Sequence, residues 1–180
     1  MEIITDRLLI TDISTEHLPF VHELLTEPEV TRYNTLPIPD DRSNTRHWID
    51  SWVIENKTRP RLDYTLAVKL SVNNEIFGLL GLKLHPEVEQ GEVWYKLHPD
   101  HWGNGYGQES LLALLQFGFQ SLNLHRIEAG TAIENIASWK VMEKAGMIRE
   151  ATRKQALFIR GTWYDHYQYG LLQQDFNGIG

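Results

Sequence analysis

The ten residues His101-Trp102-Gly103-Asn104-Gly105-Tyr106-Gly107-Gln108-Glu109-Ser110, "HWGNGYGQES", decide how the chain is read. Three glycines stand at alternate positions, behind the β-rich run "EVWYKL" (92–97) and ahead of "LLALLQFGFQSLN" (111–123). A strand, a glycine turn and a helix N-terminus in that order make an anion site. Unpaired amide N–H groups and the positive end of the helix dipole converge there, and glycine lets the backbone come close. The spacing Gly-x-Gly-x-Gly is not the Gly-x-Gly-x-x-Gly of dinucleotide folds, and no Lys-Ser/Thr pair follows to make a Walker loop. Taken alone, the loop reads equally well as a structural turn.

Outward from the loop, the texture is that of one α/β domain over 1–180. "RLLITDI" (7–13) reads as a strand. "STEHLPFVHELLTEPEV" (14–30) reads as a short helix with Ser14 or Thr15 as cap and an apolar face at Leu18, Val21, Leu24 and Leu25. "NTLPIPDDRSNT" (34–45) is a polar, proline-bearing loop, and "RHWIDSWVIENK" (46–57) places Trp48, Ile49, Trp52 and Val53 on one helical face. Three β-rich runs, at 63–70, 75–84 and 92–97, form an expected antiparallel meander. The helix behind the glycines, a strand "RIEAGTA" (126–132), a helix "IASWKVMEKAG" (136–146) closed by Gly146, and a hairpin over 150–172 turning at Arg160-Gly161 complete the chain.

Composition narrows the chemistry. The 180 residues include no cysteine, which excludes disulfides, zinc-thiolate sites and cysteine nucleophiles together. The formal net charge of -7 argues against a broad nucleic-acid surface and suits a cationic partner such as an amine or a basic polypeptide, though it is equally ordinary solubility charge. No stretch approaches the roughly 18 to 20 apolar residues of a membrane span, so a cytoplasmic protein without membrane or nucleic-acid partners is expected. His98 and His101 flank Pro99-Asp100 in a turn without a third ligand at readable spacing, so no metal is expected.

Two motifs together carry a resemblance. Trp102-x-x-Gly105-x-Gly107 occupies the frame Gln/Arg-x-x-Gly-x-Gly/Ala, and Asn135, Ser138, Glu143, Lys144 and Gly146 fill Asn-x-x-Ser-x-x-x-x-Glu-Lys-x-Gly. In this the chain resembles the GNAT N-acetyltransferase superfamily. The ends "TDRLLITDIS...LLTEPEVTRY" and "GTWYDHYQYGLLQQDF" are similar to the branch of ribosomal-protein N-terminal (RimJ/RimL-type) acetyltransferases.

The resemblance implies a single-domain, mixed but mostly antiparallel twisted sheet of about seven strands, with helices on both faces and two central strands splayed apart. It implies acetyl-CoA as cosubstrate, an amine acceptor such as a basic protein N-terminus or a small amine, and often a homodimer. The pantetheine arm would meet main chain from Tyr95 through Leu97 to His98. The diphosphate would meet the loop at Trp102, Gly103, Asn104, Gly105, Tyr106, Gly107 and Gln108. Asn135 would reach the arm from the other side, or cap its helix, or both. Trp102 and Asn104 stand where relatives carry Arg or Lys, so diphosphate binding would lean on amides and the helix dipole. Glu109, one turn into the helix, is expected to face solvent.

Amine acetylation needs a neutral amine, a polarised thioester carbonyl and a proton for the departing thiolate. Without cysteine, and without a Gly-x-Ser-x-Gly elbow, direct attack within a ternary complex is the expected route. Glu92, opening the strand that should line the cleft, is the candidate base, or else a strand-end surface charge. The tyrosine that many superfamily members place seven positions after the asparagine is Met142 here, which cannot donate. Ser138 remains as acid, as sulfur contact or as part of the helix cap, and the oxyanion would be met by an amide near Tyr95 or Leu97. Asp165 is a candidate contact for a cationic substrate. The alternative reading is a non-catalytic acyl-CoA-binding module of the same fold.

Overall fold

The computed structural model describes residues 1–178; the last two residues of the expected 1–180 domain lie outside them. Eight strands form one sheet: β1 (Glu2–Ile4), β2 (Leu8–Asp12), β3 (Asp63–Leu70), β4 (Ile76–His85), β5 (Gln90–Leu97), β6 (Arg126–Ala132), β7 (Ile148–Ile159) and β8 (Thr162–Leu172). Their spatial order is β1-β2-β3-β4-β5-β6-β8-β7, and every pairing is antiparallel except β5 with β6. The strand beyond the seven expected is β1. Three residues are too short to show a period, and tertiary contacts hold them: the N-terminal ammonium meets Asp12 at 2.6 Å, and Arg61 meets the same carboxylate at 2.7 Å.

Helices cover both faces. On one, α1 (Leu18–Thr26) and α3 (Arg42–Lys57) bury Val21, Leu24 and Ile49 against Ala67 and Leu79. On the other, α4 (Tyr106–Gln116) and α5 (Ile136–Lys144) pack on Leu80, Val93, Ile127 and Tyr169. The single turn α2 (Pro28–Thr31) links α1 to the loop ahead of α3. That loop is shorter than expected: α3 starts at Arg42 because the Asp41 side chain accepts from the amides of Ser43 and Asn44. The helix behind the glycines likewise starts early, at Tyr106, and widens into a π turn over Phe117–Ser121. Gly146 closes α5 at φ 87°, and Arg160-Gly161 turns the last hairpin with φ 43° and 85°, both positive as a type I′ turn requires.

One irregularity places the site. β5 and β6 pair only where Gln90–Glu92 meets Arg126–Glu128. Beyond those residues each strand is claimed from its outer side, β5 by β4 as far as Leu97 and β6 by β8 as far as Ala132. The two therefore part, and a gap opens toward the glycine loop.

Candidate active site

Two clefts meet at this gap. The first, of about 540 Å³, runs along the glycine loop and the start of α5 and is lined by Trp102, Gly103, Gly105, Tyr106, Gly107 and Gln108. The second, of about 530 Å³, lies on the α1 and α3 side and takes in Glu92, Trp94, Glu55, Asp63 and His166. Tyr95, Lys96, Asn135 and Ser138 line both.

The three glycines serve two ends. Gly103 and Gly105 hold φ at 78° and 80°, where an L side chain is strained, and that turn delivers the chain into α4. Gly107 already lies in the helix; a Cβ there would come within 3.2 Å of Val141, so its bareness lets α4 and α5 pack closely. Trp102 donates its indole N–H to the Leu97 carbonyl at 2.8 Å, tying the loop to the end of β5. Nine of the eleven residues expected at the cofactor line the first cleft; His98 and Asn104 do not. The His98 side chain accepts from the Asp100 amide, and its own amide donates to the Phe77 carbonyl at 2.8 Å. Asn104 presents its carbonyl to Arg7 at 3.0 Å.

That arginine also corrects the expectation for Glu109, which does not face solvent. Its carboxylate accepts from Thr5 Oγ1 at 2.5 Å, from the Arg7 amide at 3.1 Å and from Arg7 Nε at 2.7 Å. Burial alone would raise this carboxyl; the hydrogen bonds from Thr5 and Arg7 and the guanidinium charge outweigh it and hold the group below the usual carboxylate range. The bend between β1 and β2 is thereby clamped to the first turn of α4, with Arg7 covering the Tyr106 ring at 4.7 Å. Positive charge along the first cleft comes from Lys140 and Lys144 of α5, with Arg32 and Lys96 also in its lining.

At the junction, alternation along β5 orients the backbone. Because His98 donates to Phe77 on β4, the amides of Tyr95 and Leu97 point the other way, into the gap. The Tyr95 hydroxyl donates to the Ser138 carbonyl at 2.8 Å and lies 3.0 Å from Ser138 Oγ; burial pushes its phenol well above the ordinary value. Asn135 caps α5 by accepting from the Ser138 amide at 3.4 Å. Met142 is buried beside them. Glu92 is exposed and lines only the second cleft. Lys96 follows Tyr95 directly and belongs to neither motif; its Nζ lies 4.2 Å from the centroid of the Trp94 ring, and burial brings its ammonium down to about 8.

The second cleft is walled by residues 33–36, ahead of α3, and by Leu157, His166 and Gln168 of the last hairpin. Arg160, at the hairpin tip, joins them by donating to the carbonyls of Thr31, Arg32 at 2.9 Å and Asn34 at 3.2 Å. Tyr164 meets Tyr33 edge-on with centroids 5.7 Å apart. Asp165, expected near a cationic substrate, is turned away: its carboxylate accepts from the Gln155 amide at 2.8 Å and holds the bulge there, where φ is 46°.

A family model for the acetyltransferase (GNAT) domain matches residues 7–148. The chain belongs to the GNAT acetyltransferase family. It is 29% identical over 177 residues to YnaD, an uncharacterized N-acetyltransferase of Bacillus subtilis (strain 168), covering 98% of this chain and 100% of YnaD. Among solved structures, a GNAT-family acetyltransferase from Bacillus anthracis shares 29% identity at a TM-score of 0.84, covering 97% of this chain and 99% of its own. RimL, a ribosomal L7/L12 α-N-protein acetyltransferase in complex with CoA, shares the fold at a TM-score of 0.85 and 19% identity, covering 96% and 98%. The chain is thus an acetyltransferase, and the splayed pair, β5 and β6 here, is the feature the resemblance implies.

Sequence reasoning missed three members of this GNAT site. Lys96 lacked any motif; the Tyr95 hydroxyl was read only as main chain and packing; Arg160 was read only as a turn residue. For Lys96 a signal existed, since a lysine at an alternate position of a strand whose neighbours are aromatic is out of pattern for a sheet buried on both faces.

Proposed function

We propose that the chain transfers acetyl from acetyl-CoA to an amine, a protein N-terminal α-amino group or a small amine, by direct attack within a ternary complex in the cytoplasm. The observation that carries this reading is the junction: one gap in the sheet joins a glycine-loop cleft to a second cleft, so two ligands can meet without either crossing the core. The residues present fit CoA. Inward-pointing amides of β5 suit a pantetheine arm, loop amides and the α4 dipole suit a diphosphate, and Lys140 and Lys144 supply charge for phosphate. Bound there, acetyl-CoA supplies the activated acyl group.

Roles follow from position. Glu92 takes the proton of the incoming ammonium, directly or through water. The amide of Tyr95 or Leu97 meets the developing oxyanion. Ser138 Oγ–H donates to the departing sulfur, and the Tyr95 hydroxyl, anchored on the Ser138 carbonyl, holds that side chain at the gap. The resemblance of the ends "TDRLLITDIS...LLTEPEVTRY" and "GTWYDHYQYGLLQQDF" to the RimJ/RimL branch supports an α-amino acceptor. Release of free thiol from acetyl-CoA over a panel of peptides, polyamines, amino acids and aminoglycosides tests the reading, with the rise in melting temperature on adding CoA as the binding control. A burst with a trapped acetyl-protein would overturn direct attack.

A further inference from the structure

Along the face of β5 that looks into the second cleft, Glu92, Trp94 and Lys96 follow one another at alternate positions. The indole between the two charges is seated rather than loose. It packs against Gly81 of β4, where any Cβ would collide with the ring, and it carries the Lys96 ammonium on its face. A carboxylate, an apolar plate and an ammonium in a row form the complement of a small zwitterion.

The lysine is the informative member. It lines both clefts beside the Tyr95 and Ser138 pair, and among the described residues no carboxylate lies within ion-pair distance of it. Glu55, Asp63 and Glu92 share its cleft without reaching it. A half-buried cation with no anionic partner among the described residues is costly unless a ligand brings the anion, and the Trp94 ring offsets only part of that cost. On the cofactor side the phosphates have their own seat at the glycine loop and α5, and the acetyl group carries no charge. The anion left is one on the acceptor.

We propose that Glu92, Trp94 and Lys96 form a subsite for an α-amino acid acceptor, whose carboxylate pairs with Lys96 while its ammonium is directed toward Glu92. This rests on the acetyltransferase reading above and narrows it. In a peptide the group beside the α-amine is an uncharged amide, so Lys96 favours the free amino acid over a protein N-terminus.

The test compares matched pairs, each an L-amino acid and its carboxamide, with small, aromatic and basic side chains. Thiol release is measured on the full chain, and the melting temperature of the CoA-loaded protein gives a readout independent of turnover. Wild type should favour the acid by about tenfold or more in kcat/KM. Lys96→Gln should bring that ratio to about one, and Lys96→Arg, which keeps the charge, should retain the preference. Equal response of wild type to acid and amide in both readouts overturns the subsite, as does an unchanged ratio in Lys96→Gln. Acids that raise the melting temperature without any thiol release leave the subsite standing and bring down acetyl transfer instead. Thiol release from amides, peptides or polyamines but not from acids does the reverse.

Discussion

The two clefts that meet at the β5–β6 gap are built by opposite means. The glycine-loop cleft comes mostly from two short segments, 95–108 and 134–144, each a strand or loop feeding a helix, with Glu29, Val30, Arg32 and Tyr33 as a third wall. The second cleft gathers side chains from α2, the following loop, α3, β3, β5, β6, α5, β7 and β8. A cosubstrate held by backbone amides constrains backbone conformation, and that shows locally as glycines and caps. An acceptor held by side chains constrains only which residues converge, and that leaves no local trace.

Substitutions on either side of the gap can break or sharpen this contrast. The largest effect is expected at the junction itself. Ser138→Ala should lower kcat by about a hundredfold or more with little change in either Michaelis constant, the mark of a group acting in the transition state. A fall in kcat of less than about threefold would take Ser138 out of proton transfer.

Gly105→Val forces a β-branched residue to φ 80° and should raise the KM for acetyl-CoA by about tenfold or more while leaving that for the amine unmoved. Were both to rise together, the loop would be scaffold for the whole site. Glu92→Gln should depress turnover mainly at the acid end of the pH profile, where the amine most needs a proton acceptor; a profile that merely scales down points to binding alone.

On the acceptor side, Arg160→Ala releases residues 31–34 from the hairpin tip. It should raise the amine KM by a few fold, about 1 kcal/mol, with that for acetyl-CoA unchanged. Steady-state kinetics with each ligand varied in turn separates this outcome from that of Gly105→Val.

The smallest effect concerns the clamp behind the loop. Glu109→Gln should cost on the order of 1 kcal/mol at neutral pH, read by denaturant titration. The native carboxyl sits below its unfolded value of about 4.5, so its stabilisation is present above that pH and is lost as pH falls through the lower native value. The gap between variant and wild type should close in acid; a constant gap would assign the effect to packing.

Legibility follows the same division. Gly103, Gly105 and Asn135 were readable because each answers a local demand: a positive φ, a helix start, an unpaired amide. Gly146 and the Arg160-Gly161 turn belong with them. The start of α3 was misplaced although Asp41 is a good cap, because the prolines at 37 and 39 made the whole stretch read as loop. Glu109 was misjudged because its partners, Thr5 and Arg7, lie about a hundred residues away. Asp165 was misjudged because a bulge in β7 claims it, and bulges follow from pairing register rather than composition.

By itself, then, the sequence determined the strand, glycine turn and helix around 92–116, the cap on α5 and, through the absence of cysteine, the exclusion of a cysteine acyl-enzyme. These depend on which φ values a residue tolerates and which atoms it has to donate, properties that act within a few residues. Only the tertiary structure decided that β5 and β6 part after three paired residues, that Tyr95 backs Ser138, and that Lys96 stands at the junction on the Trp94 ring with no carboxylate at ion-pair distance among the described residues. Those facts depend on which edges of the two strands are already paired and on contacts across as many as 129 residues, such as Arg160 to Thr31, which no local pattern encodes.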